Sequence, residues 1–306
     1  MEKRSLNAVD SSFAYFAGFI FSQLAVLFFT ILALIVGNLF GINADSLQAF
    51  LNTALGYLLC TIVFDFAFIG VFIFYKKKTN VQVIKKVNYK KLILYIFLAA
   101  LAFVMVSPLI NCLDSLFNLW GIKINTLSYS ITDKINGVPV NFLLSIITLV
   151  ILPAIAEELL FRGIIYSGLK SHGRAISVLM TSLMFSIFHM SISQTVYPLI
   201  MGMLFTVIMS YEENILYTIS MHIVNNLLSL IFAYFNISLS YNHWTFILLA
   251  IVLACVFVAV LLVFILRKNN QTKTPLTKNE HLALWIILGI MILINIVTNL
   301  ANNFIL

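Results

Sequence analysis

The sequence predicts an all-α fold, a polytopic membrane bundle of about nine transmembrane helices. Of its 306 residues, 62% are hydrophobic and only 9% are charged, and the mean hydropathy is +1.05. A water-soluble globule of this length would need far more polar surface. Several apolar runs reach the roughly 20 residues with which a helix crosses the hydrocarbon of a bilayer. We therefore expect one integral membrane domain over 1–306.

The apolar runs define the expected spans in chain order. The first, at 13–40, is longer than the core of a signal peptide, so we expect it to be retained. The fifth and sixth are short, so they would be tilted less, partly re-entrant, or extended through 190–195. The remaining expected spans are 47–75, 92–119, 141–168, 175–190, 196–211, 214–236, 244–266 and 282–303.

The basic residues orient the chain. Lys and Arg total 18 against 11 acidic residues, and they concentrate in short loops between apolar runs. With the N-terminus in the cytoplasm, most of them fall on the cytoplasmic side of a multi-pass cell-membrane protein, as the positive-inside rule requires. Because no aromatic platform is interleaved with them, we expect contact with anionic lipid headgroups and none with nucleic acid.

Three short polar islands interrupt the apolar runs, at 157–162, 185–189 and 222–226. Ionisable side chains at membrane depth are costly and normally face a protein interior or a watery cavity. The islands therefore predict a functional core at 141–236, between flanking transmembrane helices at 1–119 and 244–306.

Helical spacing predicts different roles for the charged residues of the first island. Residues four apart share a helix face, so Glu158 can pair with Arg162 while the adjacent Glu157 points elsewhere. Arg162 would then be structural support, and Glu157 would remain free for chemistry. The alternative is a buried ion-pair network that only fixes helix packing.

The other islands supply the partners for a hydrolytic site. A rise of about 1.5 Å per residue brings Glu157, His189 and Asn226 to a common depth, with His222 one turn lower. Glu157 and His189 could activate a water molecule as a general-base pair. His222 and Asn226 share a helix face and could donate hydrogen bonds to an oxyanion. Phe185 would shape the cavity.

Metal binding stays open at this point. Glu157, His189 and His222 are suitable zinc ligands, yet the HExxH spacing of zinc proteases is absent. No cofactor is certain, and a divalent metal such as zinc remains an option. No GxSxG elbow and no cysteine motif supports a covalent nucleophile.

Three further residues lie inside apolar spans. Asp65 and Asp114 could line a polar path or bond to neighbouring helices. Pro153, one turn before the acidic pair, is expected to kink its helix and widen the cavity.

The three islands, in this order, resemble the EExxxR, FxxxH and HxxxN signatures of the CPBP family, also called CAAX prenyl protease type II or Abi. The matching motifs are 157–162, 185–189 and 222–226. The resemblance implies an intramembrane endopeptidase that acts on a membrane-associated peptide or protein. It implies Glu157 and His189 as water activators, Glu158 with Arg162 as support, and His222 with Asn226 as oxyanion stabilisers, in a glutamic or metal-dependent enzyme.

Two other classes of function fit the same features. One is a non-catalytic scaffold or bacteriocin-immunity protein that keeps the family fold and binds a partner. The other is an ion-coupled transporter, for which membrane carboxylates and imidazoles are equally apt. No pair of matching halves supports the transporter.

Overall fold

The computed structural model describes residues 3–51, 54–119, 140–190, 195–235, 237, 244–267 and 273–304. Within these ranges every extended regular element is a helix, and one isolated backbone bridge joins Arg4 and Thr79. The all-α prediction is therefore confirmed. The helices are α1 (Ala8–Leu39), α2 (Ala44–Leu51), α3 (Ala54–Lys78), α4 (Tyr89–Leu119), α5 (140–172), α6 (Arg174–Phe188), α7 (Val196–Glu212), α8 (Ile215–Tyr234), α9 (Trp244–Leu266) and α10 (Lys278–Phe304).

Six helices in the described part are long and apolar enough to cross a membrane, namely α1, α3, α4, α5, α8 and α10. Helices α6 and α7 and the segment Ile251–Leu266 of α9 are apolar but shorter. The chain is thus a multi-pass helical membrane protein, and the predicted count of nine spans is not established. The predicted span at 47–75 corresponds to α2 together with α3.

Helix α5 is not a regular α-helix. Two π-helical segments, Ile146–Ile151 and Leu159–Ile165, flank the α-helical segment Leu152–Glu158. Pro153 is the second residue of this α-helical segment, two residues after the end of the first π segment. Because proline lacks an N–H and its ring crowds the carbonyl four residues earlier, a wider turn before it relieves both problems. The expected disturbance at Pro153 therefore takes the form of a π segment.

The start of α1 packs closely on the end of α5. The Ser11 hydroxyl donates to the Ile165 carbonyl at 2.8 Å. At Gly168, an added Cβ would lie 2.2 Å from Ser11 Oγ and 2.4 Å from the Asn7 carbonyl oxygen. Only glycine allows this approach of the two backbones, so Gly168 fixes how α1 sits on the helix that carries the acidic pair.

Two apolar clusters form the interior. The first combines buried residues mainly of α1, α3, α5, α6 and α10, with Met209 of α7 and Ile215 of α8. The second combines those mainly of α4, α7, α8 and α9, with Val178 of α6. Phe185 belongs to the first cluster and Phe205 to the second. Both rings contact the Arg162 guanidinium. The polar islands therefore lie where the two clusters meet.

Candidate active site

The expected pair of Glu158 and Arg162 is present at the centre of α5. Glu158 Oε1 lies 2.7 Å from Arg162 Nη1, and both side chains are 0% exposed. A single buried charge would be very costly, whereas two opposite charges at this distance stabilise each other. The four-residue spacing thus produces the contact that it predicted.

Arg162 also fastens α5 to α7. Its Nη2 donates to the Gly202 carbonyl at 3.0 Å and its Nε to Thr206 Oγ1 at 3.2 Å. Its guanidinium carbon lies 4.7 Å from the centre of the Phe185 ring and 5.5 Å from that of Phe205, distances typical of cation–π contacts. The side chain is therefore held from several sides and leaves Glu158 with little freedom.

His222 of α8 lies between the two carboxylates. Its Nδ1 is 3.0 Å from Glu158 Oε1, and its Nε2 is 3.8 Å from Glu157 Oε2. An ionised carboxylate only accepts hydrogen bonds, so His222 Nδ1 carries the hydrogen. His222 can then donate from Nε2 only when both ring nitrogens are protonated.

Glu157 differs from its neighbour in what it faces. Its side chain is 18% exposed, against 0% for Glu158. Within the described residues its Oε2 has no hydrogen-bond partner. A carboxylate oxygen that is shielded from solvent and still unbonded is free to act on a molecule entering the cavity.

His189 directly follows the last residue of α6. Its Nδ1 lies 2.9 Å from the Phe185 carbonyl oxygen. Because a carbonyl only accepts, Nδ1 is the donor, and in the neutral ring Nε2 keeps its lone pair. The Phe185 ring packs edge-on against His189 and His222, with centroids 5.0 and 5.8 Å apart. Phe185 therefore contacts Arg162 and both imidazoles.

Asn226 receives a hydrogen bond from its own helix. Asn225 Nδ2 donates to Asn226 Oδ1 at 3.3 Å, and the Tyr197 hydroxyl donates to Asn225 Oδ1. In the described part of the chain, these contacts engage the Asn226 oxygen and leave its amide hydrogens as donors. The chain Tyr197–Asn225–Asn226 thus orients the amide from α7.

One cavity of about 740 Å³ brings together Glu157, His189, His222 and Asn226. A second cavity of about 330 Å³ shares three of these residues, His189, His222 and Asn226. Asp65 of α3 also lines the larger cavity, is only 2% exposed, and has an Oδ2 atom without a hydrogen-bond partner among the described residues. The side chain of Asp114 lies outside the described part.

The donor geometry gives no support to a bound metal. Among the described residues, no group of three or more His, Cys, Asp and Glu side chains is arranged to hold a metal ion. His222 Nδ1 is engaged by Glu158 and His189 Nδ1 by the Phe185 carbonyl, so Nε2 is the ring nitrogen left free in each imidazole. No step of the reaction is assigned to a metal.

The fold and the site define a helical membrane protein with a buried acidic and imidazole centre. Residues 139–228 match the family described as Type II CAAX prenyl endopeptidase Rce1-like. No curated protein and no solved structure gives a significant match. The matched segment contains all three islands, and the match confirms their resemblance to the CPBP family. The family implies an enzyme of the CAAX protease type and a membrane-associated peptide substrate.

Several contacts of the site were not predicted from the sequence. Gly202 and Thr206 accept hydrogen bonds from Arg162, and the Tyr197 hydroxyl donates one to the Asn225 side-chain oxygen. Gly202 and Thr206 are four residues apart, so their shared helix face was a usable signal. The signal for Asp65 was its position as a lone carboxylate in an apolar span, which did not connect it to Glu157.

Proposed function

We propose that this chain is an intramembrane endopeptidase that hydrolyses a peptide bond of a membrane-associated peptide or protein. One observation carries the proposal: Glu157 of α5, His189 after α6, and His222 and Asn226 of α8 line one cavity. The family match over residues 139–228 supports the same class. We also propose that residues 1–306 act as a single membrane domain with a cytoplasmic N-terminus.

Water is the nucleophile in the proposed reaction. His189 Nε2 accepts a hydrogen bond from the water and orients it, and Glu157 removes a proton as the water oxygen attacks the scissile carbonyl carbon. Glu157 then delivers this proton to the amide nitrogen as the carbon–nitrogen bond breaks. The products are a new carboxyl group and a free amine, and no external oxidant, reductant or co-reactant is needed.

The carbonyl oxygen gains negative charge during the attack. The Asn226 amide is the proposed donor to this oxyanion, and doubly protonated His222 donates from Nε2. A donor of this kind contributes roughly 3 kcal/mol when it is preorganised in a water-poor site. The Tyr197–Asn225 hydrogen bond supplies this preorganisation for Asn226.

Glu158 and Arg162 act through His222 in this proposal. The carboxylate of Glu158 fixes the ring through Nδ1, and Arg162 keeps that carboxylate in place. A doubly protonated His222 would lie between two carboxylates, so Glu157, His222, Glu158 and Arg162 together would carry no net charge. Such neutrality lowers the cost of burying the cluster.

The test is cleavage by the purified chain in lipid vesicles. The probe is a panel of quenched fluorogenic peptides with a prenylated cysteine near the C-terminus, with unprenylated versions for comparison. Glu157→Gln and His189→Ala should each lower kcat at least 100-fold with unchanged unfolding temperature. Glu213→Gln, a control outside the cavity, should retain wild-type cleavage.

Three outcomes would overturn the proposal. The first is full cleavage by both cavity variants. The second is no cleavage of any probe by the wild type together with tight, saturable binding, which favours the scaffold or immunity alternative. The third is ion flux into vesicles that depends on Glu157, which favours the transporter.

A further inference from the structure

The segment that carries His189 is a strained turn. Helix α6 ends at Phe188, and Met190 adopts a left-handed backbone with φ of 54°. For a residue with a Cβ, this conformation costs roughly 1–2 kcal/mol. The carbonyls of Ser186 and Ile187 accept from the backbone N–H groups of His189 and Met190, three residues on, at 3.2 Å each, so the last turn is tighter than a regular α-helix. Contacts from outside α6 add to these two bonds in holding His189 in one orientation.

Helix α10 supplies these contacts from two asparagines one turn apart. Asn299 Nδ2 donates to the Met190 carbonyl at 3.0 Å, and Asn295 Nδ2 donates to the Ile187 carbonyl at 3.4 Å. The two carbonyls belong to residues on either side of His189. The α10 amides thus grip the turn before and after the imidazole.

The two asparagines also fix each other. Asn299 Nδ2 lies 2.7 Å from both the backbone and the side-chain oxygen of Asn295. Asn295 is only 7% exposed. Amides inside an otherwise apolar helix can serve as general links between helices. Here both bind the same irregular turn, which a general packing role does not require.

We infer that Asn295 and Asn299 are positioning residues that orient His189 for catalysis. This inference rests on the proposed function of the cavity. By holding the carbonyls of Ile187 and Met190, the asparagines keep His189 Nδ1 on the Phe185 carbonyl and Nε2 available for water. The last helix of the chain, outside the family match at 139–228, thereby contributes to the active site.

The experiment compares Asn299→Leu and Asn295→Leu with Thr298→Val. Thr298 is the matched control because its hydroxyl bonds the Ile294 carbonyl of its own helix. Each leucine variant should lower kcat 10- to 100-fold with KM unchanged, since misplacing the group that orients the water affects turnover more than substrate binding. Asn299→Gln should recover part of the loss. Thr298→Val should match wild type.

Two further measurements, kinetics in a His189→Ala background and amide hydrogen exchange, distinguish a positioning role from a packing role. In a His189→Ala background, Asn299→Leu should cause no further loss of the residual rate, because the group it orients is gone. Amide hydrogen exchange at residues 188–190 should accelerate at least tenfold in Asn299→Leu and stay unchanged in Thr298→Val. Unchanged exchange, or an undiminished effect of Asn299→Leu on the residual rate of His189→Ala, would overturn the inference. If Asn299→Leu exchanges faster but His189→Ala stays fully active, the proposed function is refuted. The contact between α10 and the turn would still be supported.

Discussion

Glu158 and Arg162 form an ion pair with both side chains fully buried and with 2.7 Å between Oε1 and Nη1. The pair links the candidate catalytic residues to the rest of the fold. Glu158 also accepts a hydrogen bond from His222, and Arg162 donates one to a backbone carbonyl of α7. Removing one partner is therefore a different change from removing both.

Arg162→Met should destabilise the protein by about 3–5 kcal/mol, because it leaves the Glu158 carboxylate buried without its cation. The double variant Glu158→Gln/Arg162→Met should recover much of this loss, since no uncompensated charge remains. Denaturant unfolding in mixed micelles measures the free energy of unfolding of the single and the double variant. Equal destabilisation by the single and double variants would show that charge compensation is not what the pair provides.

Phe185→Leu should reduce turnover about tenfold or more, because its ring contacts Arg162, His189 and His222. The stability cost should be about 1–2 kcal/mol from lost packing and cation–π contact. Phe161→Leu is the matched control, since Phe161 is equally buried and touches Phe185. Similar destabilisation with preserved kcat in the control is the expected contrast.

Gly168→Ala should destabilise the chain by about 1–3 kcal/mol, because its Cβ would overlap the Asn7 carbonyl and the Ser11 hydroxyl. Gly70→Ala provides the comparison. An added Cβ there meets nothing within 4 Å, and alanine favours the helix by about 0.5–1 kcal/mol. Opposite shifts in unfolding temperature are expected, and a harmless Gly168→Ala would contradict the close approach of α1 and α5.

Removal of metal should leave cleavage intact, since no three potential ligands converge among the described residues. Dialysis against a strong chelator removes metal from the protein, and elemental analysis verifies that the protein is metal-free. The rate on the fluorogenic probe should change by less than twofold. Loss of activity that returns on adding zinc would instead assign Glu157 and His189 to a metal centre.

Glu213 should make a small contribution to stability that depends on pH. The Lys85 ammonium donates to its carboxylate at 2.7 Å, and this hydrogen bond, with Lys170 nearby, lowers the pKa of Glu213 below its ordinary value. A lowered folded-state pKa gives stability that is present above the unfolded-state pKa and lost as pH falls through the folded-state pKa.

The size of this effect is limited by exposure, since the Glu213 side chain is 41% exposed. Glu213→Gln should cost less than about 1 kcal/mol at neutral pH and low salt, and nothing under strongly acidic conditions. Unfolding measured across pH, with and without added salt, checks it. If Glu213→Gln destabilises the protein equally in acid, the loss of stability comes from packing and not from the charge of Glu213.

Much of the fold followed from the sequence, because apolar length alone locates membrane helices. The Glu158–Arg162 contact was also predictable, since four-residue spacing is a local property of a helix. The π segments were not, because a proline predicts a disturbed helix without specifying the form of the disturbance. The position of His222 between Glu157 and Glu158 was missed because helix rotation about the long axis is set by tertiary packing.

The flanking helices carry none of the three motifs, yet α1 and α3 form part of the cavity wall through Val26, Cys60, Phe64 and Asp65. The hydrolytic groups and the surface that surrounds them thus come from separate stretches of polypeptide. Selection could remodel the chamber by exchanging residues of α1 and α3, altering which molecules are admitted while the reactive centre is inherited unchanged.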